Sequence, residues 1–240
     1  MIVLPPLGHL GDELWTALLD IADHGPPGWT LVGGQMVLLH GLEQGVAPPR
    51  VSTDLDLVVD ARVRPPAIPA MAAVLGAHGF LLDAIAPDGV GHRFTRGRVS
   101  VDVLAPEGTG ERAALGVGAG AVTVPIGGGT FALGRTEWVP VRVADREGSV
   151  PRPDLAGAVL LKAHAALADR RRGPERHLSD LAFLLGLARD PYALREALGP
   201  RNRARIRRVT ALADGADPAW AGTSSDAKAA YTIVTGRDVS

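Results

Sequence analysis

Asp54 and Asp56 stand two residues apart in the run Arg50-Val-Ser-Thr-Asp-Leu-Asp-Leu-Val-Val59, and their type and spacing point most directly to chemistry. Side chains at i and i+2 of a strand share a face, so the two carboxylates aim at one place. Like charges held side by side repel, and a cation between them relieves the cost. Upstream, Leu31-Val-Gly-Gly-Gln-Met supplies Gly33 and Gly34, a turn where backbone can approach a phosphate closely. Val99-Ser-Val-Asp-Val-Leu104 sets a third acid, Asp102, in an otherwise apolar strand, where a charge is costly unless paired or metal-bound. Three carboxylates from two strands could hold Mg²⁺ or Mn²⁺, which take oxygen ligands. Metal beside phosphate implies nucleotide chemistry. Plainer readings stay open: an Asp-x-Asp that is only solvated, an ordinary Gly-Gly turn, and an Asp102 on an edge strand in water.

The elements around these residues follow from periodicity and turn signals. Leu10, Leu14, Trp15, Leu18, Leu19 and Ile21 predict an amphipathic helix over 10–24, ended by Gly25-Pro-Pro-Gly28. A short buried strand over 29–32 leads through Gly33-Gly34 into a helix over 35–43. A strand over 54–60 follows, then Pro65-Pro66 and a helix over 68–78. Strands are predicted over 80–85, 92–96 and 98–104. Gly127-Gly128-Gly129 reads as a hairpin turn between strands at 121–126 and 130–134, and 136–143 as a last strand. The Gly/Ala/Val-rich tract 113–120 reads as a loop. Beyond Val150-Pro-Arg-Pro153 the pattern is helical, over 154–171, 175–188, 191–198, 200–213 and 225–235. The expected organisation is an α/β domain over 1–150 and a helical domain over 151–240.

Composition narrows the classes. The 240 residues are 46% hydrophobic, enough for a packed core. There is no cysteine, so disulfides and thiolate ligands are excluded, and a cytoplasmic location is expected. No apolar run is long enough for a membrane span, and the N-terminus carries no evident secretory signal. The net charge of −1 conceals an asymmetry: residues 1–150 hold 10 basic and 16 acidic side chains, and residues 151–240 hold 15 and 10. An acidic half beside a basic half suits metal carboxylates and a polyanion, though drift in surface charge gives the same tally. Only Lys162 and Lys228 among the 25 basic residues are lysine, which draws attention to Lys162 as a compact point charge. The runs Arg170-Arg-Arg172 and Arg201-Asn-Arg-Ala-Arg-Ile-Arg-Arg208 read either as solvated faces or as contacts to an RNA backbone. His92 reads first as a satisfied strand histidine, with reach to the acids from a neighbouring strand as the alternative, and His164 and His177 read as surface residues. The chain has neither a P-loop nor a Gly-x-Gly-x-x-Gly fingerprint.

Taken together, these residues resemble the nucleotidyltransferase fold of the polymerase-beta superfamily, and within it the AbiEii-type nucleotidyltransferases, which include toxins of toxin–antitoxin pairs; the resemblance implies a mixed sheet flanked by helices, followed by a C-terminal helical part. The matching segments are Val32-Gly33-Gly34 and Arg50-Val51-Ser52-Thr53-Asp54-Leu55-Asp56, with weaker matches at Leu160-Leu161-Lys162-Ala163 and Arg176-His177-Leu178-Ser179-Asp180-Leu181. Arg176 stands where the family pattern has lysine, and His177 where it has an acid. The resemblance implies that Asp54 and Asp56 bind metal and that Asp102 binds metal or acts as base on the acceptor hydroxyl. It implies that Gly33 and Gly34 cradle nucleotide phosphates, that Lys162 contacts a phosphate, and that Asp180 orients Lys162 or the acceptor. Ser52 touches phosphate or caps a loop, and Arg50 neutralises phosphate or pairs with an acid. The implied activity is metal-dependent transfer of a nucleoside monophosphate from an NTP to a hydroxyl, with a tRNA 3′ end as one acceptor and a cognate antitoxin as partner. The alternatives are a catalytically inactive regulatory relative and a small-molecule nucleotidyltransferase of the antibiotic-modifying type.

Overall fold

The computed structural model describes residues 1–6, 8–50, 52–62, 67–116, 120–169 and 173–240. Val51, Pro65-Pro66, residues 117–119 of the Gly/Ala/Val tract and the run Arg170-Arg171-Arg172 lie outside the described residues. The chain forms two compact units, Met1–Met36 with Ser52–Pro153, and Val37–Val51 with Asp154–Ser240.

The first unit carries strands β1 (Ile2–Val3), helix α1 (Gly8–His24), β2 (Trp29–Val32) and the start of α2 (Gly33–Glu43). It continues with β3 (Asp54–Val59), α3 (Ala67–Ala77), β4 (Leu81–Leu82), β5 (Arg93–Arg96), β6 (Val99–Pro106), β7 (Val124–Ile126), α4 (Gly129–Leu133), β8 (Thr136–Val143) and β9 (Arg146–Pro153). Six strands make one mixed sheet in the order β2-β3-β6-β5-β4, with β7 beside β6. The β3–β6 pair is parallel, whereas β2–β3, β4–β5 and β5–β6 are antiparallel. Helices α1 and α3 pack on β3 and β6, and α4 packs on β2, β3 and β6. This is the mixed sheet flanked by helices that the family resemblance implies.

Alternation explains which way the central strands face. Leu55 and Leu57 on β3 and Val99, Val101 and Val103 on β6 are fully buried. The residues between them, Asp54, Asp56, Ser100 and Asp102, therefore turn to the opposite face. The same apolar residues that anchor the sheet set the direction of the acids.

Three local expectations need correction. Gly127-Gly128-Gly129 does not join two strands: Gly128 takes φ +82° and the chain enters the short helix α4 at Gly129. A helix of five residues is too short to display a 3.6 period, so the glycines dominate its sequence signal. The strand over 136–143 is not the last, because β9 pairs with it in a hairpin from Val143↔Arg146 to Thr136↔Pro153. Its Pro151 and Pro153 read as a linker, but β9 is the edge of the three-stranded sheet β1-β8-β9, where a missing N–H costs no ladder bond. The strand expected over 80–85 shrinks to Leu81–Leu82.

The second unit holds α5 (Leu155–Ala168), α6 (Glu175–Gly186), α7 (Pro191–Arg207) and α8 (Asp226–Thr235), after the later part of α2. Asp154 caps α5 by accepting from the Gly157 N–H, and Asp190 caps α7 by accepting from those of Tyr192 and Ala193. Gly199, at φ +67° before Pro200, kinks α7 where the sequence predicts a break between two helices. Helix α5 packs on α6 and α7, and α8 packs on the same two. Among the described residues no helix is long and apolar enough to cross a membrane.

Candidate metal centre

Strand register assembles the acids. Asp56 on β3 is the direct partner of Asp102 on β6, and Asp54 pairs with Ser100 one step along the same face. The result is a cluster in which Asp54, Asp56 and Asp102 each offer a carboxylate oxygen, all within 4.8 Å of one another. Asp102 is 6% exposed and lies on an interior strand of the sheet, which excludes the edge-strand reading. Asp54 and Asp56 are half-buried.

The surrounding groups hold these carboxylates in place. The Ser52 hydroxyl donates to Asp54 Oδ1 at 2.5 Å. The Ser52 carbonyl in turn accepts from Nε2 of Gln35, at 2.7 Å, and Gln35 is 1% exposed. Gly33, at φ +70°, makes room for Asp56: a Cβ there would lie 1.8 Å from Asp56 Oδ2. Glycine at position 33 is thus required by the close approach of a carboxylate of the site itself.

Arg93, on β5, is the residue that sequence reasoning did not single out. It pairs with Asp102 across the antiparallel β5–β6 ladder. Its guanidinium donates to both Asp102 oxygens, from Nε at 2.8 Å and Nη2 at 2.7 Å, and Nη2 lies 3.8 Å from Asp54 Oδ2. The hydrogen bond to Asp102 holds the Arg93 pKa far above its ordinary value, against an opposing effect of burial; the charges of Asp102, Asp54 and Asp56 add to the rise. His92 lies just before β5, with Nε2 3.8 Å from Asp102 Oδ2, so it reaches the acids from outside the strand. Only the β5–β6 register reveals Arg93, because nothing in His92-Arg93-Phe94 by itself marks it.

The second unit carries a different cluster. Lys162 on α5 and Asp180 on α6 are 3% and 1% exposed, and Lys162 Nζ donates to Asp180 Oδ2 at 2.7 Å. Arg50 grips the same carboxylate with Nε at 3.1 Å and Nη2 at 2.6 Å. Lys162 is therefore not a solvated helix lysine, and Arg50 does pair with an acid. The Asp180 carboxylate thus lies between two cations, Lys162 and Arg50. His177, expected at the surface, has a side chain only 13% exposed and stands 3.3 Å from Asp169 Oδ2. Burial, aided by the charges of Lys162 and Arg176 and opposed by those of Asp180 and Asp169, pushes its imidazole down to about 4.

The acid cluster fits a divalent ion. Its donors are hard carboxylate oxygens from two adjoining strands, and its carboxylates already draw a cation, the Arg93 guanidinium. A mixed sheet with Asp-x-Asp and a third acid on the neighbouring strand, after a glycine turn, defines a nucleotidyltransferase-like protein. The chain belongs to the nucleotidyl transferase AbiEii toxin family of type IV toxin–antitoxin systems, which matches residues 17–231. No curated protein matches the sequence.

Proposed function

We propose that this protein is a metal-dependent nucleotidyltransferase that moves a nucleoside monophosphate from an NTP to a hydroxyl acceptor and releases pyrophosphate. The observation that carries the reading is the convergence of Asp54, Asp56 and Asp102 in one strand register, within a chain of the AbiEii toxin family. Mg²⁺ or Mn²⁺ bound there would neutralise phosphate charge and favour the ionised acceptor hydroxyl. Asp54 and Asp56 hold the ion, and Asp102 completes the acidic face or accepts the hydroxyl proton. Gly33 and Gly34 present backbone to the nucleotide. Lys162 contacts a phosphate, with Asp180 and Arg50 orienting it, since the buried Asp180 carboxylate fixes the direction of the ammonium.

The acceptor in this reading is the 3′ end of a tRNA, and a cognate antitoxin restrains the activity, in a cytoplasmic setting. Support comes from the family description and from the basic balance of residues 151–240, including Arg201 and Arg208, both exposed. The test is incubation with each labelled NTP, Mg²⁺ and total RNA, followed by separation of RNA from protein. Label is expected in RNA and lost with Asp54→Ala. Label in a small molecule would move the assignment to the antibiotic-modifying type. Binding of NTP without any transfer would make the protein a regulatory relative.

A further inference from the structure

The part of α7 beyond its kink carries charge that the fold itself does not use. Arg201, Arg203, Arg205, Arg207 and Arg208 fall close together, and no acid stands between Glu196 and Asp214. Among the described residues none of the five side chains pairs with a carboxylate. The chain as a whole has a net charge of −1, so this is a local concentration and not a share of a basic protein. Ile206 is fully buried and turns the segment inward. Arg201, Arg205 and Arg208, at i, i+4 and i+7, lie on the side away from Ile206, over about 10 Å of helix axis. Arg201, Arg207 and Arg208 are exposed, and Arg205 is half-buried. Arg237 brings a further cation to the same end, its Nη1 donating to the Arg207 carbonyl at 3.4 Å.

Helix electrostatics accounts for only part of this charge. Arg205, Arg207 and Arg208 stand at the C-terminal end, where cations meet the negative end of the dipole. Arg201 and Arg203 stand in the first turn after Gly199, where the dipole opposes a cation. The i, i+4 pairs Arg201/Arg205 and Arg203/Arg207 set like charges over one another, which weakens the helix. A bound polyanion relieves both costs. We propose that this face of α7 is an RNA-docking surface that grips the sugar–phosphate backbone without reading sequence. In this role, which rests on the RNA-acceptor reading above, Arg201, Arg205 and Arg208 hold the backbone of the acceptor. The chemistry of the face favours RNA over a protein or a lipid surface. No large apolar side chain is exposed from 193 to 240, so the face has neither the apolar centre of a protein interface nor the inserting residues of a membrane-surface helix. Arginine forks bind phosphate oxygens with two parallel hydrogen bonds, and such contacts position a nucleic acid without reading its bases.

A tRNA pool labelled at its 5′ end is titrated with the full chain, without NTP, and binding is followed by fluorescence anisotropy over a range of salt. The variant Arg201→Gln/Arg205→Gln/Arg208→Gln is expected to bind at least about tenfold more weakly than the wild type at about 0.1 M salt. Its slope of log affinity against log salt is expected to be shallower by about two, since three phosphate contacts are lost. Arg201→Lys/Arg205→Lys/Arg208→Lys keeps the charges and is expected to keep the wild-type slope. If the glutamine variant fails to fold by circular dichroism, Arg201→Gln and Arg208→Gln are measured singly, each with a slope shallower by about 0.7. Wild-type affinity and slope in the glutamine variants overturns the docking surface, and leaves the acceptor reading intact where NTP label still enters RNA. Equal losses in the lysine and glutamine variants overturn it as well, because charge is then not what the arginines supply. No tRNA binding by the wild type overturns it too and leaves the face to an acidic protein; the labelled-NTP assay decides the acceptor reading separately.

Discussion

Replacing Gly33 by alanine tests the geometry of the metal centre at its tightest point. An added Cβ would meet Asp56 Oδ2 at 1.8 Å, Cγ at 2.7 Å and Cβ at 3.0 Å. Rotating only the carboxylate would relieve the first contact and leave the second, so the whole Asp56 side chain must swing. That swing draws the carboxylate at least about an ångström away from Asp54 and Asp102, a displacement that can cost about a hundredfold at a positioned site. Alanine at φ +70° adds a left-handed backbone cost of about 1–2 kcal/mol. An off-rotamer Asp56 adds about 0.5–1.5 kcal/mol. Gly33→Ala should thus lose about 1.5–3.5 kcal/mol of stability by urea unfolding and about a hundredfold in both Mn²⁺ affinity and nucleotide transfer.

A second glycine separates the two effects. Gly97 sits at φ +59° in the β5–β6 turn, and a Cβ there would meet nothing within 4 Å. Gly97→Ala should show the backbone cost alone, about 1–2 kcal/mol, with Mn²⁺ affinity unchanged. If Gly33→Ala binds Mn²⁺ within about twofold of the wild type while Gly97→Ala behaves as stated, then Asp56 does not bind the ion and the argument from close approach is wrong.

Asp180→Asn removes the carboxylate that faces the buried Lys162, and breaking such a pair costs about 3–5 kcal/mol, read as a lowered urea midpoint; a loss under about 1 kcal/mol would refute the structural weight given to that contact. Nucleotide transfer should fall with it, and the double variant Lys162→Met/Asp180→Asn should recover part of the stability but none of the activity. His177 titrates near 4 when folded and near 6.5 when unfolded, so the unfolded chain binds the extra proton between those values. Stability from this group is complete above pH 6.5 and declines as pH falls toward 4; His177→Gln should flatten the pH 4–6.5 dependence of the urea midpoint, and an unchanged slope would show that the imidazole is not buried as described.

Elements with their own periodicity were legible in the sequence. Helix α1, strand β2 and strand β3 fall where apolar spacing and turn residues put them, and Asp54 and Asp56 share one face because alternation is a local property; Asp102 joins them through the β3–β6 register. Features that depend on a partner strand or helix were not legible. Arg93 becomes part of the site only through the β5–β6 register. Lys162 stood out in the sequence by rarity and by family position, but its burial against Asp180 arises only when α5 and α6 pack, and the environment that depresses His177 arises in the same way. Strand β9 was hidden by its prolines, whose tolerance depends on an edge position that no local window contains.

The core and the chemistry of the first unit therefore share one determinant. Val101 and Val103 on β6 and Leu55 and Leu57 on β3 are fully buried, and their pairing fixes Asp56 opposite Asp102. A slip of one residue in that ladder would expose the valines and send Asp102 to the other face, away from Asp56 and from Arg93. The free energy that resists such a slip is hydrophobic, roughly 1.5–3 kcal/mol for each large apolar side chain brought to the surface, and it works against the repulsion among three partly screened carboxylates. Arg93 lowers that repulsion further by pairing with the most buried of the three. The sheet can thus hold a concentrated negative charge before any ion binds, because alternating valines and leucines impose the register and one arginine offsets part of its electrostatic cost.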